Sequence, residues 1–477
     1  SARFLGLDFN VAVYVGLAGI LVCSMLGGMR AVTWTQVAQY IVLIIAYLIP
    51  AIWMSTVKTG IPIPQLMQGQ ALQGIAALEA AQGIAIGHAT PFVHGGYNAL
   101  NYFLLILCLM VGTASLPHVL MRYFTTPSVR EARVSVAWSL LFIFLLYFTA
   151  PAYAAFAKWT MLDLVASGLT PDNIAEKAGW MFRWAAADNA LVQICGKAAV
   201  DAAAVAAACA EQGVTNIAFS NISLNADMIV LATPEMAGMP YVISGLVAAG
   251  GLAAALSTAD GLLLAIANAL SHDIYYKMID QNAPTARRLV VSRILLVVVA
   301  IMAAYVASTK PADILAMVSW AFSLAAAGLF PALVLGVWWK RTNSTGAVAG
   351  MIAGFALCMY YLLGTRYGAV GFYETWSGLS TASAEAVQKF ADLKAAWEAA
   401  APDAKAAAWT ALDKHAQTIA NWWGVKNLSA AAFGLPVGFG VMIVVSLLTK
   451  APSQAMQDFI EEIRIPRGKT VMEEKTA

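Results

Sequence analysis

Long apolar runs, nearly free of charge, restrict this chain more than any other feature. They lie at residues 9–26, 31–54, 100–120, 134–157, 241–270, 289–307, 314–338, 347–363 and 430–448. A bilayer core of about 30 Å is crossed by roughly 20 helical residues. In lipid the backbone polar groups must be satisfied within a helix or a closed barrel. Barrel strands alternate apolar and polar residues over segments of about ten, a pattern these runs lack. The expected fold is therefore all-α, a polytopic helical membrane protein with nine spans.

Composition agrees with that reading. Hydrophobic residues make up 60% of the chain and charged residues 11%, against about 25% charged in soluble domains, and the mean hydropathy is +0.72. The net charge of +2, with basic residues scattered along the chain, argues against a nucleic-acid partner. The surroundings expected for this chain are the lipid bilayer.

Basic residues set the orientation, because cytoplasmic connections carry the excess of Lys and Arg. Arg30, then Arg122, Arg130 and Arg133, then Lys277, Arg287 and Arg288, then Lys340 and Arg341, and finally Lys450, Arg464, Arg467 and Lys469 fall on alternate connections. Those segments are expected inside. The connections at 55–99, 158–240, 308–313 and 364–429 are then outside, and the C-terminus is cytoplasmic. The chain opens on Ser1 with no n-region, apolar core and cleavage site in series, so no signal peptide is read and a fragment is expected.

The outer connections hold further features. Residues 382–421, Ala-rich and divided by Pro402, read either as two amphipathic surface helices leading to interfacial Trp422 and Trp423 or as a poorly ordered loop. Cys195 and Cys209 lie in 158–240, where an oxidising outer compartment permits a disulfide; two free thiols are the alternative. His88 and His94, with no further ligands beside them, read as loop residues rather than a zinc site.

Two connections are unusually tight: 27–30, turning inside, and 308–311, turning outside. Inverted-topology repeats place matching hairpins on opposite faces and a solute site near the midplane between the repeats. The chemistry is concentrated in the run 241–270, where Ser257 and Thr258 adjoin Asp260. Polar groups inside a span are costly unless they meet a partner, a cavity or an ion. The two hydroxyls with the carbonyl of Ala254 could form half of a cation site, or they could bond back to their own helix. Gly346, Gly350 and Gly354 recur every four residues, as on a closely packed helix face. Neither a phosphate-binding loop nor a nucleophile elbow or metalloprotease signature occurs, which argues against an ATP-driven pump and against an enzyme.

The stretches 254–258 (Ala-Ala-Leu-Ser-Thr), 27–35 (Gly-Gly-Met-Arg-Ala-Val-Thr-Trp-Thr) and 116–122 (Leu-Pro-His-Val-Leu-Met-Arg) resemble the sodium:solute symporter family over about residues 9–449. Stretches 112–118 and 268–273 are most similar to its acetate-permease-like branch. The resemblance implies an inverted-repeat (5+5) transporter fold from which the first helices of repeat one are missing here. Residues 1–55 would then hold the last two helices of repeat one, 56–99 an outer loop, 100–338 repeat two, 339–449 two additional helices with an outer helical loop at 365–428, and 450–477 a tail. It implies Na⁺ ligands at Ala254, Ser257 and Thr258. Thr113, Ser115 and Pro117 are then candidates for substrate contacts, or alternatively helix-packing residues. Asp260 is a candidate for the ion's exit, or a structural partner of a base such as Arg122.

The function so implied is Na⁺-coupled import of a short monocarboxylate such as acetate, across a bacterial inner membrane and by alternating access. A small two-helix membrane subunit is an implied partner. The alternatives are a symporter of the same family for an amino acid or another solute, and a non-transporting sensor or complex subunit.

Overall fold

The computed structural model describes residues 6–7, 9–92 and 97–464; the readings at Ser1, His94, Arg467 and Lys469 lie outside the described residues. Among those described, seven helices are long and apolar enough to cross a membrane: Arg30–Thr59, Val129–Ala166, Tyr241–Ile279, Thr285–Ser308, Ile314–Trp338, Ser344–Tyr367 and Asn427–Leu448. Ala99–Ser115 joins the helix opened by Pro117 at a bend of 46°, and the first apolar run holds the shorter helix Phe9–Val22. All nine predicted runs thus fall on helix. The chain divides into two compact units, Ser1–Pro91 with Met121–Pro311, and Phe92–Leu120 with Ala312–Ala477.

In the first unit, Phe9–Thr59 is helical on both sides of a break at Gly28, where φ is 55° and ψ −155°. An L side chain resists that backbone conformation, so glycine marks the place where the chain changes direction. Before the break, Ile20 is buried with Leu263, Ala267, Leu296 and Ala300. Beyond it the helix packs on Tyr241–Asn268, where a Cβ on Gly250 would lie 2.5 Å from the Ala46 methyl. Tyr47 stacks on Tyr153 with centroids 5.0 Å apart, and Ala51, Met54, Ile75 and Phe156 pack nearby. After Asn268 the helix continues to Ile279 in wider π-type turns.

Residues 158–240 build a small domain of their own. Ile174–Ala178, Trp180–Ala185 and Ala202–Glu211 are helices. Val192–Ile194 is the middle strand of a three-stranded antiparallel sheet, flanked by Lys197–Ala198 and Ile222–Leu224. This sheet is the exception to the all-helical expectation. Its core includes Met181, Trp184, Ile194, Val205 and Ile217, and Cys195 and Cys209 form a disulfide across it. Asp201 caps the following helix by accepting the Ala204 N–H at 2.7 Å. Asp188 pairs with Lys310, which has a positive φ of 46°. The Lys310 hydrogen bond holds the Asp188 carboxyl below the usual carboxylate range.

In the second unit, glycines set the spacing. Ser344–Tyr367 lies against Ala431–Leu448 so closely that a Cβ on Gly350 would fall 2.8 Å from the Gly438 carbonyl oxygen, and one on Gly354 3.0 Å from that of Gly434. The recurrence of Gly346, Gly350 and Gly354 is the packing face expected. Ala384–Ala399 and Lys405–Ile419 are the two helices divided by Pro402. Trp422 departs from the interfacial role expected of it: it is 7% exposed and meets Tyr361, Phe372 and Phe433 at centroid distances of 5.0 to 5.4 Å. Trp423 stays exposed. Buried Asn101 ties the turn beyond it, donating to the Gly424 carbonyl at 2.9 Å and accepting the Lys426 N–H at 2.8 Å.

Candidate functional site

The helix Tyr241–Asn268 carries the hydroxyl pair, and small residues let its neighbour approach. A 3.6-residue turn puts residues 254, 257, 258 and 261 along one side. Ser257 Oγ donates to the Ala254 carbonyl at 2.9 Å, and Thr258 Oγ1 reaches the same oxygen at 3.3 Å. Three hard oxygens therefore converge, two of them hydroxyls already turned toward the third. These are the bonds of the second alternative, hydroxyls turned back to their own helix, and each hydroxyl oxygen keeps lone pairs beyond the bond it donates. Ser257 is half-buried and Thr258 exposed.

The kinked helix Phe9–Thr59 grips this segment twice. Gln36 Nε2 donates to the Ser257 carbonyl. Ser24 Oγ donates to Asp260 Oδ1 at 2.7 Å, and Asp260 is only 2% exposed. A carboxylate at the centre of a span costs about 2.5–3.5 kcal/mol on insertion scales, so a bonded partner is what such a site requires. The direct partner of Asp260 is thus Ser24 rather than Arg122. Arg122 still attracts the carboxylate, while its Nη1 lies 3.5 Å from Thr33 Oγ1. Gly261 leaves room for that guanidinium, since a Cβ there would lie 3.2 Å from Arg122 Nη2.

Residues from the three motif stretches therefore meet within one unit: Thr33 with Arg122, and Arg122 with the turn that carries Ser257 and Asp260. Sequence reasoning missed Ser24 and Gln36. The available signal was a hydroxyl and an amide inside otherwise apolar runs, which are expected to find partners. In the run 268–273, Ser271 is buried and His272 Nδ1 lies 2.9 Å from Asp273 Oδ1.

The candidates Thr113, Ser115 and Pro117 belong to the second unit and differ from one another. Thr113 is exposed, with its hydroxyl donating to the Leu109 carbonyl at 2.7 Å. Ser115 is 1% exposed and donates to Gly112 at 3.0 Å. Gly112 faces the helix Ile314–Gly328, where a Cβ would come within 2.5 Å of the Phe322 carbonyl. Ser115 thus sits on the packed side and Thr113 away from it. Pro117 opens the next short helix at the bend.

Known proteins resemble the chain over most of its length. The chain is 36% identical to an uncharacterized symporter of Cupriavidus necator, over 97% of its own length and 72% of the relative's. It is 28% identical to a monocarboxylic acid transporter of Corynebacterium glutamicum, over 74% of this chain and 56% of that one. A solved Na⁺-coupled sialic acid symporter, in a substrate-bound outward-open state, shares the fold with a TM-score of 0.52 at 15% identity, covering 94% of this chain and 69% of the other. The profile of the sodium:solute symporter family matches residues 2–175 and 190–354. The chain belongs to the sodium:solute symporter family.

Proposed function

We propose that this protein couples Na⁺ entry to the import of a short-chain monocarboxylate such as acetate. The observation that carries the reading is the convergence of the Ala254 carbonyl, Ser257 Oγ and Thr258 Oγ1, with Gln36 holding the same turn. Hydroxyl and carbonyl oxygens replace a hydration shell without a full charge. Asp260, one turn further along, supplies the attraction that draws the ion toward the inner side. Thr113, with Ser115 and Pro117 shaping the helix around it, contributes to the solute site. The relative named as a monocarboxylic acid transporter supports this substrate class.

Residues 1–55 and 100–338 serve as parts of two inverted repeats, and transport follows as they alternate access. Ion binding favours the outward-open state to the extent that the ion prefers it. One cation moving inward gains about 2.3 kcal/mol per 100 mV, so two or more cations per anion drive accumulation. The protein operates in a bacterial inner membrane with its C-terminus cytoplasmic, in keeping with the basic residues on alternate connections and the disulfide in 158–240. A small two-helix membrane subunit accompanies it.

The test is uptake of labelled acetate against Na⁺ concentration for Ser257→Ala with Thr258→Ala, with unlabelled monocarboxylates and amino acids as competitors. The expected result is a raised Na⁺ requirement and displacement by monocarboxylates alone. Unchanged Na⁺ dependence at normal expression removes the ion site, and displacement by an amino acid removes the substrate class.

A further inference from the structure

A cavity of about 490 Å³ lies between Val129–Ala166 and the residues 180–236 beyond it, with neither Ser257 nor Thr258 on its wall. Its volume is within the range of small-molecule pockets, about 300–1,000 Å³. Most of its wall is apolar. Met161, Met228 and Met236 supply thioether side chains that adapt to ligands of different length, and Phe219 adds a ring.

The polar side chains on the wall are His88, Lys158, Trp180 and Ser223, and no carboxylate is among the lining residues. Lys158 is bonded to Glu79 Oε1, a residue off the wall whose carboxylate also takes the His88 backbone N–H at 2.9 Å. An ammonium has three N–H donors, and Glu79 engages one of them. The Lys158 Nζ also lies 5.7 Å from the centroid of the Phe219 ring, another residue of the wall. Trp180, another wall residue, is 6% exposed and has an indole N–H with no hydrogen-bond partner among the described residues. A buried donor left unpaired costs about 1–3 kcal/mol, which a ligand with an acceptor head would offset.

We infer that this cavity is a second solute site, independent of Na⁺, for monocarboxylates that carry a hydrocarbon tail: the carboxylate meets Lys158 and the tail lies among the methionines. The ligand class rests on the monocarboxylate reading above, whereas the site itself does not depend on ion coupling. In the proposed orientation it opens on the outer side, where it captures acids before transport.

The experiment measures equilibrium binding of labelled hexanoate to the full-length protein in nanodiscs, in Na⁺-free buffer, with empty nanodiscs subtracted. Saturable binding is expected, displaced by butyrate and not by hexylammonium. Met228→Trp, which fills the cavity, and Lys158→Met combined with Glu79→Gln, which removes both charges together, are each expected to weaken it by about tenfold or more, as loss of charge-assisted hydrogen bonds or of the cavity does. Ser257→Ala with Thr258→Ala is expected to leave it intact while altering Na⁺-dependent uptake, which separates failure of this site from failure of the coupling reading. Absence of saturable Na⁺-free binding to the wild type overturns the inference. So does unchanged binding in Met228→Trp that is monodisperse with a wild-type melting temperature.

Discussion

Replacing Gln36 by Leu tests the ion site without touching any proposed ligand. The amide donates to the Ser257 carbonyl, in the same turn whose hydroxyls converge on Ala254, so it fixes the backbone from which Ser257 Oγ projects. Leu keeps the length and the helix propensity and removes the donor. Interhelical hydrogen bonds in membranes are worth about 0.6 kcal/mol on average and up to about 1.7 kcal/mol. If the bond stabilises only the ion-competent arrangement, the Na⁺ concentration for half-maximal uptake should rise by roughly 3-fold to 20-fold. Maximal uptake at saturating Na⁺ should change less. Tyr40→Phe is the control: it lies one turn further along the same helix and loses a bond to the Phe142 carbonyl, away from the hydroxyl pair. Uptake in proteoliposomes over a Na⁺ series reads both variants. An unchanged Na⁺ requirement in Gln36→Leu, or the same shift in Tyr40→Phe, would refute the view that Gln36 positions the site.

Three further outcomes are expected. Gly354→Leu should lower thermal stability by about 1–3 kcal/mol through overpacking, since even its first carbon meets the Gly434 carbonyl at 3.0 Å; a melting curve in detergent checks it, with Gly371→Leu, where nothing lies within 4 Å of the added carbon, as the tolerant comparison. Converting both Cys195 and Cys209 to Ser should cost the domain 158–240 about 3 kcal/mol, the chain-entropy value for a loop of this size, read as faster limited proteolysis there. The Asp188–Lys310 pair should hold at neutral pH and weaken only as pH falls through the depressed carboxyl value, because a lowered folded-state pKa contributes stability above the ordinary value and loses it on acidification. Hydrogen exchange at residues 308–310 should accelerate on acidification below the ordinary carboxylate range in the wild type but show no such acid step in Asp188→Asn, and added salt should mute the difference because Lys310 is about half exposed.

Periodicity and composition made the membrane helices legible, because a run of about 20 apolar residues leaves one inexpensive solution in lipid. The packing role of Gly346, Gly350 and Gly354 was legible for a similar reason, since a fixed spacing of small residues has one geometric meaning. The strands of the small domain were not, because three residues such as Val192–Ile194 are too few for alternation to stand out. Nor could the sequence reveal that Ser24 meets Asp260 across 236 residues, or that Gln36 meets Ser257 across 221. A polar residue in an apolar run announces that it needs a partner without saying which. Trp422 is instructive in the opposite way. Its composition and position suggest the interface, but neighbouring rings at Tyr361, Phe372 and Phe433 provide a buried setting that only the tertiary fold brings together.

The break at Gly28 has a geometric meaning that a straight rod cannot supply. In an uninterrupted helix Ser24 and Gln36 would stand about 18 Å apart along the axis, at 1.5 Å per residue. The groups they hold, on Asp260 and at Ser257, are separated by about 4.5 Å of helix rise. A break in the segment between them is what lets two of its own turns reach so short a stretch. Gly28 therefore works like the pivot of a pair of tweezers, and a side chain there would be expected to spread the jaws and release the acid and the hydroxyl turn together.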